Sequence, residues 1–167
     1  MKQIYFVRHA KSSWDHPGLA DESRPLNDKG LRDAPKMGQF LHNQGLMPDA
    51  MISSPALRAL TTAQLIAKEL GFNSQNIEVQ PLLYTFTMHV EPLLDFILLL
   101  PNQYQTVMLF GHNPTFSELA SRFSNYSFKD EVPTCSVVAF EIQTTDWKKA
   151  LSAPTNLLLY GYPKLLK

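Results

Sequence analysis

The stretch Gln3-Ile4-Tyr5-Phe6-Val7-Arg8-His9-Ala10 decides the fold. Residues 3–7 are β-branched or aromatic and nearly all apolar, and they run into a polar turn. A strand with no polar face needs cover on both sides, as a parallel strand inside an α/β sandwich has.

The rest of the chain alternates strands with helices. Asn27 or Asp28 can cap a helix in which Leu31, Ala34, Gly38 and Leu41 fall at helical spacing, with Gly45 as its stop and Pro35 predicting a kink or a late start. Residues 49–53 read as a short strand, and Ser54-Pro55 as the N-cap and first-turn proline of a second helix with the stripe Ala56, Leu60, Ala63, Ala67 and Leu70. Residues 77–79 are expected as a third strand, 90–100 as an apolar helix beginning near Glu91-Pro92, and 106–110 as a buried strand. Asn113-Pro114 repeats the cap-plus-proline signal before Phe116, Leu119, Ala120 and Phe123, and residues 135–142 and 156–160 are two more strands that pair with each other. This order predicts a single domain over residues 1–167: a three-layer α/β/α sandwich whose sheet is mainly parallel with an antiparallel edge.

Composition narrows the partners. The 167 residues carry 15 Lys+Arg and 15 Asp+Glu, so the general basic field of a nucleic-acid binder is absent and any anion site must be local. One cysteine cannot form an internal disulfide. The run of four apolar residues before Arg8 is too short for a signal-peptide core, and the longest apolar run, 96–100, is too short to span a bilayer. The expectation is a soluble cytoplasmic protein with no membrane partner. No triphosphate-binding Gly-x-x-x-x-Gly-Lys loop occurs, and His16, His42 and His89 lack zinc-site spacing, so they are expected at the surface.

In open parallel sheets, ligands bind beyond the carboxyl ends of the strands. Arg8 and His9 follow the first predicted strand, Arg58 lies in the first turn of the helix after the second, and Gly111-His112-Asn113 follows the fourth. The helix opening at Asn113 would turn its positive end into the same crevice and favour an anion. Two guanidiniums offer forked donors for phosphate oxygens. Two imidazoles add what anion binding alone does not need, a nucleophile and a group that stabilises charge or moves a proton. The cluster points to phosphoryl transfer. Arg24, on the long polar stretch 11–26, could instead pair with Asp21 or Asp28.

Four ordered blocks between about residues 2 and 140 carry a resemblance. They are Arg8-His9-Ala10-Lys11-Ser12-Ser13-Trp14; Arg24-Pro25-Leu26; Ser53-Ser54-Pro55-Ala56-Leu57-Arg58-Ala59 with Thr62-Ala63; and Gly111-His112-Asn113-Pro114. Together they resemble the histidine phosphatase superfamily and, within it, the SixA-type phosphohistidine phosphatase branch. The resemblance implies a phosphoglycerate-mutase-like fold and a hydrolase in which His9 attacks phosphorus and becomes a phosphohistidine that water later hydrolyses. It implies that Arg8 and Arg58 clamp equatorial oxygens, that His112 completes the phosphate pocket and stabilises the transition state, that Asn113 joins the phosphate-binding set, and that Arg24 reaches the phosphate or steers a phosphorylated partner. It implies no cofactor and no metal, because these cations supply the stabilisation that magnesium gives elsewhere.

One departure is informative. Larger members of that superfamily carry a glutamate shortly after the third strand as general acid for an alkoxide, whereas this chain has Leu82-Leu83-Tyr84 there. An imidazole leaving from phosphohistidine departs neutral if its other nitrogen already carries a proton. The departure therefore favours phosphohistidine in a protein partner as substrate. Asp21, Glu22 or Glu91 remain as proton sources, which keeps small phosphomonoesters as one alternative; a non-catalytic phospho-recognition module is the other, and it has no use for His9. Trp14 and Tyr84 are candidates for the pocket mouth. Cys135 lacks the phosphate-cradling loop a cysteine nucleophile needs and is expected buried in a strand.

Overall fold

A computed structural model describes residues 1–124 and 131–166. Its elements, in chain order, are β1 (Lys2–Arg8), α1 (Asp28–Asn43), β2 (Ala50–Ser53), α2 (Leu57–Leu70), β3 (Glu78–Val79), α3 (Glu91–Leu98), β4 (Thr106–Gly111), α4 (Thr115–Phe123), β5 (Val137–Ile142) and β6 (Thr155–Gly161). The sheet order is β3-β2-β4-β1-β5-β6. From β3 to β1 neighbouring strands run parallel, and β5 and β6 add the antiparallel edge.

Alternation along β1 sends its side chains into two cores. Ile4 and Phe6 pack with Leu93 and Ile97 of α3 and with Phe116, Leu119 and Phe123 of α4. Tyr5 and Val7 pack on the other face with Ala34, Met37 and Leu41 of α1 and Ala63 and Ile66 of α2. Both faces are covered, which is why the strand has no polar side. Among the described residues no helix is long and apolar enough to cross a membrane.

Several local expectations are corrected. Asn27 caps α1, its side chain accepting from Gly30 N, but the helix runs through Pro35 without a late start. Leu31, expected in the apolar stripe, is 47% exposed. The buried face is instead set by Gly30, where an added Cβ would come within 2.2 Å of the Lys11 carbonyl oxygen, so α1 rests directly on backbone. Helix α2 begins at Leu57 rather than at Ser54-Pro55, and it buries Arg58, Ala59, Thr62, Ala63, Ile66 and Ala67. Helix α4 begins at Thr115, after a cis Asn113-Pro114 peptide. Cys135 is buried but precedes β5, in a turn at φ 60°. Burial, with Asp33 nearby, pushes its thiol up to about 12 and leaves it unreactive.

Replacing Gly30 by alanine should overpack this contact, at a cost of about 1–3 kcal/mol. A thermal melt of Gly30→Ala is expected to show a Tm lower by roughly 2–10 °C; an unchanged Tm would contradict the close approach.

Candidate active site

Backbone hydrogen bonds align three strand ends. His9 N donates to Gly111 O at the end of β4, and Ser54 N donates to Phe110 O just past the end of β2. Thr62 Oγ1 accepts from Ala10 N at 3.0 Å and donates to Arg58 O at 2.7 Å, tying the first turns of α2 to the chain beyond β1. The result brings His9 and His112 together with ring centroids 5.2 Å apart.

His9 is 8% exposed, and its Nδ1 lies 2.7 Å from Ala10 O. A carbonyl only accepts, so Nδ1 must carry the proton and Nε2 keeps its lone pair. Burial first, then Arg58, Arg8 and Arg24, pull the His9 pKa down to about 4 against the opposing Ala10 hydrogen bond. The ring is neutral, with its lone pair on Nε2.

Arg8 Nη1 donates to Val132 O at 2.8 Å. Arg58 is 2% exposed, and donates from Nη1 to Asp21 O at 2.7 Å and from Nη2 to Asp21 Oδ2 at 2.9 Å. The same carboxylate takes Arg24 Nε at 3.2 Å and the Tyr84 hydroxyl at 2.7 Å. Partial burial pushes the Asp21 pKa up, but Tyr84, Arg58 and Arg24 outweigh that and hold it at about 2. Asp21 is therefore a fixed anion among cations and not a proton donor at neutral pH.

His112 is 1% exposed, with Nε2 2.8 Å from Ser54 Oγ. Burial first, then His9, Arg58 and Arg8, hold its pKa at about 3 despite the opposing charge of Asp21. Phe86 and Tyr84 flank it, at ring-centroid distances of 4.7 and 5.5 Å. Thr115 holds that aromatic segment, its Oγ1 bonding Thr85 O, Thr87 O and Thr87 N. Among the described residues, the buried side-chain nitrogens without a partner are Arg8 Nε, Arg58 Nε and His112 Nδ1, all in this one cluster.

Other expected residues serve the frame. Arg24 is buried, bonded to Ser12 Oγ and Ser13 O, with its guanidinium 3.6 Å from the Trp14 ring centre; it clamps the 11–26 stretch while adding positive charge near His9. The Asn113 amide donates to Val132 O and accepts from Ser117, so its side chain staples the segment before β5 onto α4. His16, His42 and His89 are exposed. Sequence reasoning missed the bridging parts of Ser54, Thr62, Thr115 and Val132; Ser54 and Thr62 stood in the quoted block, but nothing local signalled their partners His112 and Ala10.

Residues 4–88 match the model of the histidine phosphatase superfamily, branch 1. An uncharacterised chloroplastic protein of Arabidopsis thaliana is 30% identical over 168 residues, covering 96% of this chain and 76% of that protein. The mitochondrial serine/threonine-protein phosphatase Pgam5 of Drosophila grimshawi is 33% identical over 82 residues, 49% of this chain and 28% of that one. The structure of the protein histidine phosphatase SixA complexed with tungstate superposes with a TM-score of 0.82 at 22% identity, covering 99% of each chain.

The two imidazoles make stability depend on pH. Each titrates near 6.5 when unfolded, but at about 4 and about 3 when folded, so between these values the unfolded chain binds more protons. Stability should hold above pH 6.5 and fall as pH drops through 6 to 4, with a slope approaching ~2.7 kcal/mol per pH unit if both contribute. Urea unfolding at pH 7, 6 and 5 measures it, and a flat profile would show that the rings are not held neutral.

Proposed function

Since the chain belongs to the histidine phosphatase superfamily and is a phosphatase of that family, we propose that it works without a metal, through a phosphohistidine on His9, on phosphohistidine in a protein partner. The observation that carries this reading is the state of His9, with Nδ1–H bound to Ala10 O and Nε2 unprotonated beside Arg8, Arg58 and His112. The Nε2 lone pair attacks phosphorus and the bond from phosphorus to the leaving atom breaks. Arg8 and Arg58 balance the charge on the phosphoryl oxygens, for which the unpartnered Nε atoms and His112 Nδ1 are suited donors. Water then attacks phosphorus, the bond to His9 Nε2 breaks, and inorganic phosphate leaves.

The acids around the site favour a nitrogen leaving atom. Asp21 is held ionised, and Glu91 is held below its usual range, chiefly by its hydrogen bond to Arg122 at 2.9 Å. The Tyr84 hydroxyl donates to Asp21, which raises its pKa above the ordinary phenol value. None of the three is a ready proton source for an alkoxide. An imidazole whose other nitrogen already carries a proton leaves neutral without one.

His9→Ala should lose activity by at least about 10³-fold. Mass spectrometry after an alkaline quench, which preserves a phosphorus–nitrogen bond, should find phosphate on His9, and EDTA should leave turnover unchanged. The value of kcat/KM for a phosphohistidine peptide should exceed that for alkyl and sugar phosphates by at least about tenfold. An active His9→Ala protein would sink the mechanism; a preference for the oxygen esters would move the substrate class to small phosphomonoesters.

A further inference from the structure

We infer that Ser54 is a positioning residue: its hydroxyl holds His112 in the tautomer whose Nδ1 carries the proton, and so presents a neutral N–H donor to the phosphoryl group. The inference rests on the phosphoryl-transfer reading of the site.

Ser54 is fully buried and follows β2, with its backbone fixed at both ends by Ser54 N to Phe110 O at 3.0 Å and Ser53 Oγ to Ser54 O at 2.9 Å. Its Oγ has two neighbours: it accepts from Ala56 N at 3.1 Å and lies 2.8 Å from His112 Nε2. A hydroxyl has one proton to give, and a buried donor needs an acceptor. Ala56 N is a donor, so the only acceptor these contacts offer is His112 Nε2. The Ser54 proton therefore goes to Nε2, and a neutral ring must then carry its own proton on Nδ1.

The opposite tautomer fits worse at two atoms. With Nε2–H donating to Ser54, the serine proton would have no acceptor in these contacts. A lone pair on Nδ1 would then stand where a phosphoryl oxygen needs a donor. In the tautomer inferred here the Ser54 hydroxyl is satisfied both as donor and as acceptor, and the unpartnered side-chain atom left in the Ser54–His112 pair is Nδ1, buried and without a protein acceptor. Buried orphan donors are rare in proteins, and a substrate oxygen is the natural partner for this one. The low proton affinity of His112 agrees, since a ring that is neutral across the physiological range has a single N–H whose place matters. Its neighbours Phe86 and Tyr84 fill the sides of the ring without competing for Nδ1.

Long-range 1H–15N spectra of the uniformly labelled, substrate-free protein at pH 7 test this directly. The expected spectrum has His112 Nδ1 in the protonated range and Nε2 in the unprotonated range. Ser54→Ala should mix or reverse the tautomer and lower kcat on the order of 10- to 100-fold, the cost of a misaimed donor, while Ser54→Thr, which keeps the hydroxyl, should restore both. A protonated Nε2 in the parent protein would overturn the inference, as would Ser54→Ala keeping the parent tautomer or the parent kcat. If Ser54→Ala does not fold, the parent spectrum alone decides. A failure of the phosphohistidine mechanism shows at His9 in the trapping experiment and not in this spectrum, so the two are separable.

Discussion

His9 and His112 stand 5.2 Å apart between centroids, next to Arg8 and Arg58, and a proton on either ring would add positive charge to a cluster already cut off from water. Burial and neighbouring cations push in the same direction, so both rings stay neutral and their hydrogen bonds settle which nitrogen is free. The rest of the molecule serves that arrangement. Parallel pairing of β1 with β4 puts Arg8 and His9 level with Gly111 and His112, and the covered faces of the sheet keep the strand ends from shifting relative to one another.

A cationic cluster of this kind needs an anion, and the stretch between β1 and α1 brings one. That stretch is closed at its base by the Ser12–Leu26 bridge, and Ser13 N donates to Pro25 O. It carries Asp21 onto Arg58 and Arg24, and Trp14 onto the Arg24 guanidinium. Arg58 sits at the positive end of α2, where a cation is unfavourable alone; the Asp21 carboxylate answers both the helix end and the guanidinium. Asp21 thus offsets part of the positive charge of the resting site, and the long stretch that carries it is part of that site.

Much of this was legible in residue patterns. The two-sided apolar β1, the Asn27 cap and the buried face Phe116, Leu119, Ala120 and Phe123 of α4 came out as read, because each depends on neighbours within a few positions. The misreadings share one cause. Leu31 falls at the spacing of the buried stripe of α1, but the close approach to the Lys11 backbone puts Gly30 there and leaves Leu31 exposed. Ser54 accepts from Ala56 N near the start of α2, but its hydroxyl also lies 2.8 Å from His112 Nε2; Asn113 accepts from Ser117 N, and its amide also donates to Val132 O. In each case a partner distant in sequence adds what the local pattern does not show.

By itself, the sequence determined the alternation of strands and helices, the clustering of two arginines and two histidines at one sheet edge, and the neutrality that forces any anion site to be local. Those follow from local periodicity and from the rule that parallel strands deliver their carboxyl ends to one side. Only the tertiary structure decided the protonation of His9, the ionised state of Asp21, and the pairing of Ser54 with His112. These depend on burial and on contacts between residues 52 and 58 positions apart, as for Ala10 with Thr62 and Ser54 with His112, which no local pattern encodes.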